Sequence, residues 1–391
     1  MSVVILKPRQ ERRVKAGHRW VFSNEIADVR DLPENGGLVD LLNSQHQFLG
    51  RGYYNRHSLI ALRLLTARRE EIDRAFFVRR FKAAFAHREK VLPGTTAGRL
   101  VFSEADRLPG LIVDRYGDYL VCQFLTLGME NLRTLLLEAI GEVSTPKGIL
   151  LRNDSSFREL EGLPQAVEVA IGEFPERVEV EENGARFLVD CRAGQKTGFF
   201  WDQRDNRAVV RVLAAGRRVL DCFSYSGGFA INAALGGASA VAAVDNSAAA
   251  LGLLDENAQL NGAADRVTAV NADCFAYLKD QAIAGEQFDL IVLDPPAFVK
   301  SKAKLNAALA GYREINRHAM KLLAPGGLLV SCSCSQNLTP EMFEEVLRGA
   351  ARDAGRQFRL RGALNQADDH PVMLAMPETR YLKGLVLERV A

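Results

Sequence analysis

Two short stretches near the end of the chain hold residues whose types could do covalent chemistry. One hydrophobic run ends in Asp294, Pro295 and Pro296, and the next run, GGLLVSCSCSQN, contains Cys332 and Cys334. Two prolines restrict the backbone, so this turn could present a hydrogen-bond acceptor rigidly to a bound substrate. A cysteine thiolate can add to an electron-poor carbon, although cysteine in a strand is also common as a small buried hydrophobic residue.

An acid and a thiol together are suited to methylation of a carbon that is a poor nucleophile, such as C5 of cytosine. The thiolate would add to C6, C5 would then attack a sulfonium methyl group, and loss of the C5 proton would release the enzyme. Asp294 would hydrogen-bond N3 or the 4-amino group of the base and favour the addition. Methylation of an exocyclic amine, as on guanine, is the alternative, because it would use the Asp-Pro-Pro turn and neither cysteine.

Three earlier hydrophobic runs also end in polar residues, and these could hold a nucleotide-like ligand. A nicotinamide cofactor fits less well, because the full G-x-G-x-x-G fingerprint is not there. In open α/β sheets, ligands lie beyond the carboxyl ends of the strands. The first run ends in DCFSYSGGF, where Gly227 would let the backbone approach a ligand. The second ends at Asp245, suited to a ribose hydroxyl pair, and the third at Asp273, suited to an adenine amino group. Each residue alone could be a turn former or a helix cap, but three such strand ends together favour a ligand site.

The elements that must position these residues are alternating strands and helices. Asn183-Gly184 predicts a β-hairpin, and the alternation after it predicts an α/β domain with a mostly parallel sheet. Earlier residues, such as WVFSNEI, read as short strands between turns. A mixed α+β segment follows, with an amphipathic helix from Ile72 to Val91 and a second helix from Asn131 to Ile140. We therefore predict three domains, at residues 1–68, 69–175 and 176–391.

Composition and charge limit the partners that this chain could have. No apolar run approaches the ~18 residues of a membrane helix, and the run from Val3 to Leu6 is too short for a signal peptide, so we expect a cytoplasmic protein. The six cysteines form no C-x-x-C pair, so we expect neither disulfides nor a metal site. Residues 1–92 hold 18 Lys and Arg against 10 Asp and Glu, which suggests a polyanionic partner.

Several stretches carry a resemblance to one enzyme family. The strand-end pattern resembles the class I S-adenosylmethionine-dependent methyltransferases, whose members have a Rossmann-like domain. LKPRQERRVKAGHRWVFSNEI, GRGYYNRHSLIALRLLT, QKTGFFWDQRDNR, VLDPPAFVKSK, SCSCSQNLT and YLKG together resemble the cytosine-C5 methyltransferases of large-subunit ribosomal RNA known as RNA large subunit methyltransferase I. The resemblance covers nearly the whole chain. It implies a β-rich PUA domain, a central α+β domain and a C-terminal class I methyltransferase domain.

The resemblance also implies roles for particular residues. Matching SCS to the family's fifth-strand motif puts the nucleophile at Cys334, with Asp294 as the second catalytic residue. It implies S-adenosylmethionine as the cofactor, bound by Thr197, Gln203, Asp221, Phe223, Ser224, Tyr225, Gly227, Asp245, Asn246, Asp273 and Asp294. It implies 23S ribosomal RNA as the partner. From the residues themselves, Phe298 could stack on a base or simply pack, Lys300 could replace the family's lysine, and His370 could reach the base or the proton to be removed. We further expect no membrane partner, and a homodimer is a further expectation.

Two departures from the family pattern affect these roles. An aromatic residue usually stands where this chain has Cys332, and a lysine usually stands where it has Ala297. Neither departure removes the nucleophile, but a lysine contact to the base would have to come from Lys300. Besides cytosine-C5 methylation, two functions stay open: guanine-N methylation by the Asp-Pro-Pro turn, and RNA binding in ribosome assembly without turnover.

Overall fold

The computed structural model describes residues 2–298 and 305–390 and divides into two compact units. The first unit contains Met1–Val180, Val189–Trp201 and Asp368–Thr379. The second contains Glu181–Leu188, Asp202–Ala367 and Arg380–Ala391. Within the described ranges no helix is long and apolar enough to cross a membrane.

The front of the chain forms a six-stranded sheet in the first unit. Its strands are β1 (Val3–Leu6), β2 (Trp20–Val21), β3 (Ile26–Arg30), β4 (Leu38–Leu42), β5 (Phe48–Tyr54) and β6 (Leu62–Thr66). They lie in the order β2-β6-β5-β4-β1-β3, antiparallel except for the pair β1 and β4. Val4, Val39 and Leu62 are fully buried in its core, and Val14 of the short helix α1 (Arg12–Lys15) packs against them. The predicted β-rich N-terminal domain is confirmed.

One predicted strand in this sheet is interrupted. The stretch WVFSNEI contains a 3-10 turn, Ser23–Glu25, between β2 and β3. The carboxylate of Glu25 accepts the backbone N–H of Phe22 at 2.7 Å and pairs with Arg13 at 2.9 Å. These bonds close a turn within a run of residues that, by composition alone, favour an extended strand.

A second sheet of the first unit is covered by helices. Its order is β11-β10-β9-β8-β7, with β7 (Ala97–Phe102), β8 (Leu111–Tyr116), β9 (Tyr119–Phe124), β10 (Gly148–Asn153) and β11 (Ala166–Gly172). The helices are α2 (Arg74–Val91), α3 (Leu127–Asn131), α4 (Arg133–Val143) and α5 (Phe157–Leu160). Phe77 and Phe81 of α2 are fully buried in a cluster that also contains Ile140 of α4. The predicted α+β segment is confirmed.

Two helix boundaries in this segment differ from the sequence prediction. Helix α2 begins at Arg74 rather than Ile72 because the side chain of Asp73 accepts the N–H of Phe76 at 2.7 Å and caps the helix. The helix predicted from Asn131 to Ile140 is two helices that meet at Leu132. Apolar spacing does not detect a break of one residue, because the buried positions on either side keep the same period.

The next element along the chain is a hairpin, and its form follows from its two turn residues. Strands β12 (Val178–Glu182) and β13 (Ala185–Val189) form a two-stranded sheet. Asn183 has φ of 50° and Gly184 has φ of 73°. Both values lie in the left-handed region that a type I′ turn requires, as the Asn-Gly pair predicts.

The second unit contains a seven-stranded sheet with helices on its faces. In chain order its elements are α6 (Arg204–Leu213), β14 (Arg218–Cys222), α7 (Gly228–Leu235), β15 (Ala240–Asp245), α8 (Ala248–Leu260), β16 (Val267–Asn271), α9 (Cys274–Ala284), β17 (Phe288–Leu293), α10 (Leu305–Leu322), β18 (Leu323–Ser333), α11 (Pro340–Ala354), β19 (Phe358–Asn365) and β20 (Lys383–Arg389). The sheet order is β16-β15-β14-β17-β18-β20-β19. The first five strands are parallel, and β20 runs antiparallel to both of its neighbours. The predicted Rossmann-like α/β domain is confirmed.

The strand order locates the place where a ligand is expected. Strand β14 lies between β15 and β17, so the chain proceeds in one direction across the sheet from β14 to β16 and in the other from β14 to β18. Helices on both faces bury the central strands, and Leu220, Ile291 and Leu329 are fully buried. In such sheets ligands bind beyond the carboxyl ends of the strands that flank this reversal.

Candidate active site

The carboxyl end of β14 carries a buried acid with unusual surroundings. Asp221 is 1% exposed, and the hydroxyl of Ser224 donates a 2.6 Å hydrogen bond to its Oδ2. Its Oδ1 is buried and makes no hydrogen bond within the described part of the chain. Burial raises the pKa of Asp221 to about 7, and the negative charges of Asp294 and Asp245 add to the increase. A cationic group bound at this strand end would stabilise the ionised carboxylate.

The turn after β14 is held in a strained conformation. Phe223 and Tyr225 have φ values of 63° and 50°, in a region that residues with a side chain seldom occupy. The N–H of Phe223 donates to Sγ of Cys274 at 3.3 Å, and the N–H of Tyr225 donates to Oδ2 of Asp245 at 2.9 Å. These bonds hold the turn against the end of β15 and the start of α9.

Gly227 caps the start of the helix after this turn and has little room for a side chain. Its φ is 88°, and a Cβ atom would lie 2.8 Å from Cγ of Leu254. Helix α7 begins at the next residue, so its first backbone N–H groups lie beside the strand end. The turn therefore combines close backbone approach with a favourable position for a hydrogen-bond acceptor at a helix N-terminus.

The carboxyl ends of β15 and β16 hold the other acids predicted for donor binding. Oδ1 of Asp245 accepts the N–H of Ser247 at 2.9 Å, and each carboxylate oxygen can accept a second hydrogen bond. Asn246 is exposed beside it. Strand β16 ends at Asn271 rather than at Asp273, because Asp273 caps helix α9 by accepting the N–H of Ala276 at 3.0 Å. Asp273 is therefore a helix cap, exposed to solvent, whose predicted contact with adenine stays a prediction.

The ends of β17 and β18 bring the acid-proline turn beside the two cysteines. Leu293 pairs with Ser331 in the parallel register, so Asp294 and Cys332 follow at the same level of the two neighbouring strands. Cys332 is fully buried, and a Cβ atom on Gly384 would lie 2.9 Å from its Sγ. Burial, and then the charge of Asp294, raise the pKa of the Cys332 thiol well above its usual range. Cys332 is thus a packed core thiol.

Cys334 differs from the other cysteines in its accessibility. All six cysteines lie in described residues, and Cys334 is partly exposed whereas the other five are buried. It lies one residue beyond the end of β18. The hydroxyl of Ser333 donates to the hydroxyl of Tyr312 at 2.9 Å, and Tyr312 also bonds the hydroxyl of Ser335 at 3.0 Å. The residues on both sides of the thiol are therefore held to one tyrosine of α10.

Lys383 is a part of this site that the sequence did not identify. Its Nζ donates to the carbonyl oxygens of Ser335 at 2.5 Å and Leu338 at 2.6 Å. Burial lowers the pKa of Lys383 to about 8, while the nearby Cys334 acts to raise it. The only signal in the sequence is a lysine within an otherwise apolar strand, in YLKGLVLE. Such a lysine needs polar partners, but the sequence does not say which.

Two residues before β14 are predicted to bind the methyl donor, and they belong to different units. Gln203 is buried in the second unit, where its Oε1 accepts from Nδ2 of Asn206 at 2.6 Å, and it hydrogen-bonds the thiol of Cys332. Thr197 belongs to the first unit. There it is fully buried, and its hydroxyl donates to Oδ2 of Asp114 at 2.6 Å. Contacts of Gln203 and Thr197 with the methyl donor stay predictions.

The three residues predicted to contact a substrate have different environments. Phe298 packs against Tyr312 and Phe275, with ring centroids 4.6 and 5.7 Å apart. His370 belongs to the first unit, is 2% exposed, and bonds Oδ1 of Asp369 through Nδ1 at 2.8 Å. Lys300 lies outside the described residues. The second unit thus brings together Asp221, Gly227, Asp245, Asp294 and Cys334 at one edge of its sheet, without His370.

Comparisons with known proteins show which proteins this chain is similar to. A family model described as S-adenosylmethionine-dependent methyltransferase matches residues 156–373, and a PUA-like domain model matches residues 4–67. Proteins named ribosomal RNA large subunit methyltransferase I, from Aeromonas salmonicida and Shewanella amazonensis, are each 43% identical to this chain over 99% of both chains. A solved structure of a candidate SAM-dependent methyltransferase from Streptococcus mutans is 23% identical with a TM-score of 0.86, covering 99% of this chain and 100% of that one.

Proposed function

We propose a reaction for this chain, which belongs to the S-adenosylmethionine-dependent methyltransferase family that includes ribosomal RNA large subunit methyltransferase I. In this proposal it methylates C5 of a cytosine in 23S ribosomal RNA. Cys334 is the covalent nucleophile in this proposal. The observation that carries it is the position of the partly exposed Cys334 one residue past β18, two residues after the position that is level with Asp294 at the end of β17.

The residues at the carboxyl edge of the sheet fit S-adenosylmethionine, the cofactor of this family. Bound there, it supplies an electrophilic methyl group on a positively charged sulfur. The buried Oδ1 of Asp221 offers an acceptor and a negative charge for a cationic part of the cofactor. Asp245 has remaining acceptor positions for a ribose hydroxyl pair, and Gly227 leaves the backbone accessible.

The thiolate of Cys334 would form a bond to C6 of the cytosine. The electron pair of the C5–C6 double bond then becomes available at C5, which makes that carbon nucleophilic. A hydrogen bond from a protonated Asp294, or to it from the 4-amino group, would stabilise the charge that the addition places on the ring. After methyl transfer, removal of the C5 proton restores the double bond and expels the thiolate of Cys334.

Tyr312 and Lys383 would hold the nucleophile for this reaction. Hydrogen bonds from both residues fix the backbone and hydroxyl groups that flank Cys334. The ammonium group of Lys383 near the thiol favours its ionised form, which is the reactive one. These contacts reduce the conformational freedom that would otherwise be lost on reaching the transition state.

Ribosomal RNA as the substrate is supported by the relatives' names and by the PUA-like match at residues 4–67. Because that RNA is assembled in the cytoplasm of bacteria, we propose the same location for this chain. A target base within a folded RNA would have to leave its stack to reach both the thiol and the methyl group.

The experiment is transfer of labelled methyl from S-adenosylmethionine to unmodified 23S rRNA, followed by nucleoside analysis. Wild type and the control Cys332→Ala should yield 5-methylcytidine, and Cys334→Ala should yield none. A methylguanine product would favour amine methylation at the Asp-Pro-Pro turn. Binding of the RNA without any methyl transfer would favour an assembly factor.

A further inference from the structure

The first unit contains an arginine-rich cavity of about 370 Å³ beside the six-stranded sheet. Residues from β6, its following loop and helix α2 contribute to its lining. The charged lining residues are Arg19, Arg68, Arg79, Arg80, Arg107 and Glu70. Five guanidinium groups against one carboxylate make this arginine cavity strongly cationic.

Neutral groups hold two of these arginines in place. Nη1 of Arg19 donates to the carbonyl oxygens of Leu64 at 3.3 Å and Leu65 at 3.5 Å. Nη2 of Arg80 donates to the same Leu65 oxygen at 3.2 Å, and its guanidinium lies 4.8 Å from the ring centroid of Phe76. Carbonyl groups and a ring orient a guanidinium group without neutralising its charge.

The single lining acid is already used within the cavity. Oε2 of Glu70 pairs with Arg79 at 3.0 Å, and its Oε1 accepts from the hydroxyl of Thr66 at 2.6 Å. The arginines of the cavity therefore repel one another. Burial, and then repulsion from Arg107 and Arg80, lower the pKa of Arg19 to about 10, with Glu104 opposing. An anion in the cavity would relieve this repulsion.

We propose that the arginine cavity binds a backbone phosphate of the RNA substrate, an inference that rests on the proposed function. Guanidinium groups present paired N–H donors that match the oxygens of a phosphate. The cavity volume suffices for a phosphate with its adjoining ribose. Contacts to phosphate oxygens are the same for every nucleotide, so this interaction would position the RNA without selecting its sequence.

The location of the cavity favours RNA over other phosphate sources. Thr66 and Ala67 line it, and they end the segment that matches the PUA-like model. Arg68 and Arg107 are exposed, so a long polyanion can reach the cavity from solvent while its neighbouring nucleotides remain outside.

The experiment measures binding of unmodified 23S rRNA by the full-length protein over a range of potassium chloride concentrations. The test variants are Arg80→Gln and the double variant Arg68→Gln/Arg107→Asn. Asparagine is chosen because Arg107 has φ of 61°, which asparagine tolerates. Arg348→Gln is the matched control, since Arg348 is an exposed arginine of α11 paired with Glu344.

We expect each test variant to bind rRNA at least about tenfold more weakly at low salt. The slope of log affinity against log salt should become smaller by about one for each phosphate that the variant no longer neutralises. The control and the charge-preserving Arg107→Lys should keep most of the wild-type affinity and slope. Thermal unfolding establishes that all variants are folded.

Wild-type affinity and slope in both test variants would overturn the proposal. It would also be overturned if inorganic phosphate stabilised the wild type but not the variants while rRNA binding stayed the same, because the cavity would then be a free-phosphate site. Nucleoside analysis of the same samples separates this result from a failure of the proposed function. Reduced RNA binding by the variants supports the arginine cavity whichever nucleotide the wild type methylates.

Discussion

Lys383 joins strand β20 to the segment that carries the proposed nucleophile. It pairs with Ser333 in the antiparallel register, and its ammonium group donates to two carbonyl oxygens beyond Cys334. We expect Lys383→Met to lower kcat by about 10- to 100-fold, because it removes both hydrogen bonds and a cation beside the thiol. Alkylation of Cys334 by iodoacetamide at neutral pH should slow in parallel. Unchanged alkylation with reduced kcat would contradict the electrostatic part of this role.

The raised pKa of Asp221 predicts how the stability of the folded protein depends on pH. Its pKa is about 7 in the folded chain and about 4 when unfolded, so the folded state binds the proton more tightly. Ionisation therefore destabilises the unliganded protein progressively as pH rises from about 4 to 7. Asp221→Asn should have a higher Tm than wild type at pH 8, and this difference should vanish near pH 4.

The same variant should bind S-adenosylmethionine about tenfold more weakly, because the charge that attracts a cationic ligand is gone. Calorimetric titration measures this. An equal affinity in both proteins, together with no pH dependence in the difference of Tm, would show that Asp221 does not face the cofactor.

The residues of the donor site and those around the thiol differ in how far the sequence predicts them. Asp221 and Asp245 lie at the carboxyl ends of β14 and β15, and Gly227 follows β14, so the repeating βαβ pattern places all three at one edge. Tyr312 lies in α10, 21 residues before the Ser333 hydroxyl that it binds, and Lys383 lies in β20, whose pairing with β18 is not local in the chain. A buried lysine and a buried tyrosine signal that partners exist, but only the three-dimensional pairing identifies the partners.

At the scale of elements, the turn between β14 and α7 depends on a residue without a side chain. Gly227→Ala places a Cβ at a φ of 88° and 2.8 Å from Leu254. We expect this change to destabilise the protein by about 1 kcal/mol or more and to weaken cofactor binding. Gly252→Ala is the control, because Gly252 is exposed within α8 and a Cβ there meets nothing within 4 Å. It should stabilise by up to about 1 kcal/mol, measured by thermal unfolding.

Elements defined by local signals are the ones that the sequence predicts well. The Asn183-Gly184 hairpin and the alternation from β14 to β18 are both present, because turn chemistry and buried strand length are local properties. The antiparallel pairing of β20 with both β18 and β19 could not be predicted in the same way. It follows from long-range pairing after α11, which no turn residue specifies.

At the scale of the whole molecule, the residues proposed to bind S-adenosylmethionine lie at one edge of the sheet in the second unit. Hydrogen exchange with and without S-adenosylhomocysteine tests this. We expect slower exchange in residues 221–228 and 245–250, because ligand binding stabilises the elements that contact it, and no change in residues 3–66. The peptide that contains Thr197 decides whether that predicted donor contact exists. Protection confined to residues 3–66 would contradict the assignment of the site.

Two predictions about the whole chain concern its domain boundaries and its oligomeric state. The domain boundaries at residues 68 and 175 and the homodimer stay predictions. Sedimentation of the purified protein would measure its oligomeric state. The basic excess of residues 1–92 is visible in the sequence, but its concentration at the arginine cavity is not, because that depends on the packing of α2 beside β6.

The most direct test of the central claim is trapping of the covalent intermediate on 23S rRNA that contains 5-fluorocytidine. Fluorine at C5 cannot leave as a proton does, so an enzyme that adds through C6 and transfers the methyl group should remain bonded to the RNA. We predict a stable complex under denaturing conditions for wild type and Cys332→Ala, with the attachment mapped to Cys334, and none for Cys334→Ala. Attachment at another residue, or 5-methylcytidine formed by Cys334→Ala on ordinary rRNA, would contradict the account.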